Sequence, residues 1–248
     1  MSFEAGSSHW RPLVGEPLSW RTSCVWRRAR DPEHARAIAD FTAVTTIVLR
    51  TQAGMTPLDP NAAADAVLDR VGRDAVNDTC AALGLRETVV EVSGRDLHET
   101  LLADAGVDNV ADVWAKLDEP GVRDRLRALD PARTSRGTPR GLTRLLSMVW
   151  RDEAAPPDGC AAMRRLFGLQ VWPHRPASGF PYDDIVVSGK TGTLPTIRNE
   201  IGVVEYPDGG RYAVAVFTRS RLPIAVLPEA DAAIGTAARL AVEAIRRP

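Results

Sequence analysis

The chain has 248 residues, 44% of them hydrophobic, and a formal net charge of −1. That length holds one large domain or two small ones around a substantial core. The near-neutral balance excludes the concentrated positive surface that a nucleic-acid partner needs.

Basic charge is almost all arginine, with Lys116 and Lys190 the two lysines. Cys24, Cys80 and Cys160 are far apart and odd in number, which gives neither a disulfide framework nor a zinc spacing. His9, His34, His98 and His174 form no H-x-x-H or H-E-x-x-H pair, so no metal or other cofactor is expected. No apolar run is long enough to cross a bilayer, so no membrane partner is expected. The opening MSFEAGSSHWRPLVGEPLSW lacks the basic and apolar regions of a secretory signal, which places the chain as written in the cytoplasm.

In chain order, residues 1–50 read as an irregular arm. Trp10, Trp20 and Trp26 and a crowd of arginines lie in it without a sustained helical or strand period. The run ADFTAVTTIVLRT that begins at residue 39 is apolar and β-branched, and fits a buried helix or a strand equally. Asn61 is placed to cap a helix over AAADAVLDRV that Gly72 ends. A second helix follows over AVNDTCAALG, with Val76, Cys80 and Leu83 at helical spacing. TVVEV at 88–92 alternates as a short strand, and two or three short helices fill 95–128. ALDPARTSRGTP is a loop punctuated by Pro and Gly. Thr138 and Pro139 start a helix with Leu142, Leu145, Leu146 and Val149 on one face.

The strongest strand signal lies at 184–218. IVVSG reads as a strand followed by the connection KTGTLPTIRN. EIGVVEY and RYAVAVFT read as two strands joined by the turn Pro207-Asp208-Gly209-Gly210. Tyr212, Val214 and Val216 alternate with Ala213, Ala215 and Phe217. Both sets are apolar, so both faces of the sheet should be covered. A last helix runs from about Pro228 to Arg246, with a narrow stripe of Ile234, Ala238, Ala241 and Ile245.

The chemistry-bearing motif is Ser188-Gly189-Lys190-Thr191-Gly192-Thr193, followed by Arg198-Asn199-Glu200. It is not a phosphate loop, because the glycine that G-x-x-x-x-G-K-[ST] requires is replaced by Asp184 and strands follow rather than a helix. A K-T-G on an antiparallel strand, then a hairpin and a C-terminal helix, resembles the penicillin-recognising serine hydrolases of the class A β-lactamase type. The Thr-Pro helix start at TPRGLTRLLSMVW and the segment DPNAAADAVLDRVGRDAVNDTCAALGL resemble the same family, so the resemblance covers roughly 55–247.

The resemblance implies an α/β (α+β) fold: an antiparallel sheet with helices on both faces, plus a helical subdomain. The helical part would span 61–172 and the sheet with its C-terminal helix 184–247, within a domain over 51–248. It implies a monomer that takes a β-lactam or peptide-like small molecule along the KTG strand edge. Lys190 and Thr191 would hold the substrate carboxylate, Gly192 would allow close backbone approach, and Thr193 N–H would be an oxyanion-hole donor. Arg198 would either reinforce the carboxylate pocket or be an ordinary ion-paired residue.

The sequence also departs from the family. Its nucleophile is the serine of Ser-x-x-Lys, yet Val113 and Val187 stand three residues before Lys116 and Lys190, so the motif is absent and no catalytic residue is assigned. The S-D-N loop is degenerate: Asp59 and Asn61 remain around Pro60 without a serine, and the segment reads equally well as a capped helix start. The Ω-loop glutamate has no match, Glu119 being the nearest and fitting better as a helix-start acid. Ser93, Ser135 and Ser147 show no nucleophile elbow. The unpatterned start fits translation out of frame or from a wrong start. That would leave the domain N-terminally incomplete, without the family's first two strands and nucleophile helix, and would hide an export signal for a secreted or periplasmic protein. The function implied is β-lactamase-like acyl-enzyme hydrolysis; the alternative is an inactive or penicillin-binding-like module.

Overall fold

The computed structural model describes residues 11–12, 20–25, 60–170, 174–221, 224 and 226–246. Five strands form one antiparallel sheet: β1 (Arg11–Pro12), β2 (Trp20–Val25), β3 (Val186–Leu194), β4 (Ile197–Glu205) and β5 (Arg211–Ser220). Their order is β1-β2-β5-β4-β3. The helices are α1 (Pro60–Val71), α2 (Arg73–Ala82), α3 (Gly94–Ala105), α4 (Val110–Lys116), α5 (Val122–Arg125), α6 (Pro139–Trp150), α7 (Pro157–Phe167) and α8 (Pro228–Arg246), with 3-10 turns at Arg127–Leu129 and Pro176–Gly179. Among the described residues no helix is long and apolar enough to cross a membrane.

Alternation along β4 and β5 explains how the sheet buries two faces. Val204, Val214 and Val216 meet Phe180 and the α8 residues Ile234, Ala237, Ala238 and Val242. Val203, Ile201 and Ala213 meet Leu146, Val149 and Trp150 of α6 and Cys160 and Met163 of α7. A third core joins Leu101 and Ala105 of α3, Val113 and Leu117, and Leu126 and Leu129, with Leu194 and Ile197 at the tip of the β3–β4 hairpin packed against it. The helical subdomain thus rests on the end of the strand that carries the KTG motif.

Several expectations are corrected. The stretch read as an irregular arm, with no room before the domain for two further strands, supplies β1 and β2; β2 pairs with β5 from Trp20↔Ser220 to Val25↔Ala215. Its alternation is hidden because Arg21, Thr22, Ser23 and Cys24 carry little hydrophobic contrast. TVVEV makes only an isolated bridge, Val89↔Arg136, because its neighbours Val90, Glu91 and Val92 bond instead to Asn77 and Ser135 side chains. KTGTLPTIRN is not a connection: β3 runs through Leu194 and β4 starts at Ile197. Helix α1 begins at Pro60, whose fixed φ suits a first helical position, so Asn61 lies inside the first turn rather than at the cap. Asp59 and the run at 39–51 lie outside the described residues. On α8, Val242 is buried where Ile245, at 39% exposure, is not. Helix α7, started by Pro156 and Pro157, went unread because its apolar residues Cys160, Ala162, Met163 and Leu166 are small or dispersed.

The Thr138-Pro139 start is as expected: Thr138 Oγ1 accepts from the Gly141 N–H at 3.1 Å. Replacing Thr138 with Ala should destabilise the protein by about 1 kcal/mol, read as a lower urea midpoint.

Candidate functional site

The KTG motif lies on β3, the outer strand of the sheet, hydrogen-bonded to β4 on one side. Valines and threonines favour extended backbone here. The hairpin closes through Pro195-Thr196 with Leu194↔Ile197 as its last pair. Proline first and a left-handed second residue, Thr196 at φ 65°, is the type II turn arrangement. A threonine pays strain in that region; its carbonyl is held by the Ser220 N–H at 2.6 Å.

The register places Thr191 opposite Glu200 and Thr193 opposite Arg198, while Lys190 faces Ile201 and Gly192 faces Asn199. Opposed residues share a face, so Lys190 and Gly192 lie on one side of the sheet and Thr191 and Thr193 on the other, above the start of α8. Lys190, Gly192 and Thr193 are exposed. Lys190 Nζ donates to the Thr191 carbonyl at 2.5 Å. Although much of Lys190 is open to solvent, desolvation by the surrounding protein holds its amine below the ordinary lysine value, with Glu200 opposing that shift and Arg175 adding to it.

A buried charge cluster underlies this strand. Arg175, 6% exposed, reaches from the segment ahead of the 3-10 turn. Its Nε donates to Asp231 Oδ1 at 2.8 Å, its Nη1 to the carbonyls of Asn199 at 2.9 Å and Gly192 at 3.4 Å, and its Nη2 to Thr193 Oγ1 at 2.6 Å. Arg198 is also buried, 3.6 Å from Asp231 Oδ1 and donating to the Ile224 carbonyl at 3.1 Å. Glu200 is 2% exposed. Burial pushes its carboxyl up to about 8, against the pull of Arg175 and Lys190. Gly189 makes room for it: a Cβ there would stand 3.0 Å from Glu200 Oε1 and 3.1 Å from the Ile201 carbonyl. Gly189→Ala should therefore lower the urea midpoint, at a cost of about 1–3 kcal/mol.

Of the residues singled out from sequence, Lys190, Thr191, Gly192 and Thr193 stand together on β3, and Arg198 is one strand away. Asn61 is on α1, of whose side chain nothing is described. Glu119 is exposed beyond α4. Ser93 caps α3 by accepting from the Asp96 N–H, Ser135 Oγ accepts from the Glu91 and Val92 N–H groups, and Ser147 is half-buried on α6. Arg175 and Asp231 were not singled out. Nothing in their spacing marks them, since they meet only because α8 returns to the KTG strand.

An antiparallel sheet with a helix on one face, two helices on the other and a K-T-G on its outer strand is the architecture of the penicillin-recognising proteins. The model of the beta-lactamase enzyme family matches residues 16–245, and the chain belongs to that family. It is 33% identical over 200 residues to the beta-lactamase regulatory protein BlaB of Streptomyces cacaoi, covering 74% of this chain and 64% of that relative. The chain therefore spans less than two thirds of that relative's length. Among solved structures, a β-lactamase from Desulfarculus baarsii superposes with a TM-score of 0.57 at 19% identity, covering 89% of this chain and 75% of that one. A β-lactamase from Sphaerobacter thermophilus superposes with a TM-score of 0.56 at 21% identity, covering 86% and 84%. At these identities the likeness is one of fold.

Proposed function

We propose that the chain serves β-lactamase-like serine hydrolysis, taking a β-lactam or a related amide or ester along the β3 edge. The observation that supports this best is the Lys190–Thr193 segment on an outer strand, exposed at Lys190, Gly192 and Thr193 and braced from beneath by the Arg175 guanidinium. An extended ligand adds to such an edge through backbone hydrogen bonds. Lys190 supplies a charge-assisted bond to a carboxylate, and Thr191 would reach it from the other face of the strand. Gly192 keeps the approach open, and the Thr193 N–H is the oxyanion donor of the reading. Arg175 holds Thr193 and the Gly192 carbonyl in place, so the donor geometry is set before the ligand arrives. Acyl transfer also needs an activated serine, and no Ser-x-x-Lys occurs in the sequence, so the nucleophile is assigned to no residue.

That missing motif, together with the 33% identical regulatory relative, favours a second reading, in which the chain binds β-lactams as a regulator without turning them over. Intact-mass spectrometry after exposure to benzylpenicillin, run beside an assay of drug loss, separates the two. Continuing loss of drug supports the hydrolase, and a mass gain of one penicilloyl group shows that the chain holds a nucleophile. Saturable binding with neither supports the regulator. No binding at any concentration sinks both. In either case Lys190→Ala should weaken binding by roughly tenfold or more, the worth of one charge-assisted hydrogen bond, measured by calorimetry.

A further inference from the structure

Glu200 is buried on β4 directly across from Thr191. Its Oε1 lies against the bare Cα of Gly189. Among the described residues its Oε2 has no hydrogen-bond partner; Arg175 Nη1 is 3.8 Å away, too far to donate. Such a site tolerates a protonated carboxyl and penalises a charged one. The charged groups around it are Arg175 from the segment ahead of the 3-10 turn and Asp231 from α8, with Lys190 acting on it from the other face of β3 and Arg198 beyond Asp231.

We propose that Glu200 is a positioning residue that sets the charge of the KTG edge through its own proton. Protonated, it adds no negative charge to oppose Lys190 and Arg175, so the edge attracts an anionic ligand; ionised, it cancels one of those charges. The proposal deepens the reading of β3 as a carboxylate-binding edge and rests on it. With Glu200 neutral, three cations stand against one carboxylate, Asp231; with Glu200 ionised they stand against two. Because burial pushes the Glu200 carboxyl up to about 8, the change falls on the alkaline side of neutrality. The coupling is reciprocal: a bound carboxylate makes Glu200 harder to ionise, so binding near pH 8 takes up protons.

The presence of only two lysines allows a test without any ligand. Reductive methylation with ¹³C-formaldehyde gives one dimethylamine signal for each and one for the N-terminal amine, and Lys116→Arg and Lys190→Arg assign them. The Lys190 signal should show an inflection near pH 8 that disappears in Glu200→Gln, a nearly isosteric and neutral replacement. An identical Lys190 titration in both proteins overturns the proposal. The second arm is benzylpenicillin binding by calorimetry at several pH values in buffers of different ionisation enthalpy. Wild type should lose on the order of tenfold in affinity between pH 7 and 9 and take up protons, whereas Glu200→Gln should keep only the part that belongs to Lys190. Equal pH dependence in the two proteins counts against Glu200. Failure to bind at every pH, with the Glu200-dependent inflection of Lys190 present, sinks the β-lactam reading and leaves the charge coupling standing.

Discussion

Replacing Gly179 with alanine should remove a large part of the protein's stability. A Cβ at 179 would stand 2.1 Å from the Gly235 carbonyl oxygen and 2.6 Å from its carbonyl carbon. The contact is tight from the other side too, since a Cβ at Gly235 would meet Ser178 Oγ at 2.3 Å and the Arg175 carbonyl at 2.6 Å. These are mostly backbone atoms of a 3-10 turn and of a 19-residue helix, and neither can swing aside as a side chain would. Overpacking a core costs about 1–3 kcal/mol where side chains can adjust and more where backbone must move, so about 4 kcal/mol or more is expected. That is a large part of the roughly 5–15 kcal/mol that holds a domain together. Urea denaturation followed by circular dichroism measures it, and a Gly179→Ala protein with the wild-type midpoint would refute the contact. A surviving fraction should also bind ligand poorly, because lifting this turn off α8 draws Arg175 away from Asp231 and Thr193.

How much of this was legible in the sequence depends on the range of the interaction involved. The KTG segment, the PDGG turn and the Thr-Pro helix start were readable because turn and cap chemistry acts within a few residues. Strand β5 was readable as covered on both faces because Val214, Ala215 and Val216 leave no polar side. Strand β2 was not, since Arg21, Thr22 and Ser23 earn their place only by pairing with β5, almost 200 residues on. The Gly179–Gly235 approach was equally silent: neither glycine has a positive φ, so no local conformation demands it. The charge cluster was half visible. Arg198 and Glu200 follow the KTG closely, but Arg175 and its partner Asp231 are 56 residues apart and meet only in the finished fold.

Arg175→Ala should be the most damaging substitution of a charged residue, and its cost should depend on pH. The guanidinium satisfies Thr193 Oγ1, the Asn199 carbonyl and Asp231 at once, and it is the nearest cation to Glu200. Removing one partner of a buried ion pair costs about 3–5 kcal/mol, because the stranded charge remains buried. Asp231 keeps Arg198 at 3.6 Å, so the loss falls mainly on Glu200 and the KTG strand. Glu200 escapes part of it by holding a proton. In the wild-type protein its folded value of about 8 stands above its ordinary 4.5, so the native state binds the extra proton between those values, and stability falls as pH rises from about 4.5 towards 8. Arg175 opposes that rise; without it the folded value climbs further and the decline extends to higher pH. The variant should therefore lose about 3 kcal/mol at pH 5.5 and up to about 1 kcal/mol more at pH 8.5, the most that the linkage allows when the wild-type carboxyl already ionises near 8. Urea midpoints at the two pH values test this. An equal loss at both would mean that Glu200 does not feel Arg175, and a loss larger at pH 5.5 would reverse the assigned sign. Arg175→Lys should fall between, since an ammonium keeps the charge but cannot reach Thr193, Asn199 and Asp231 together.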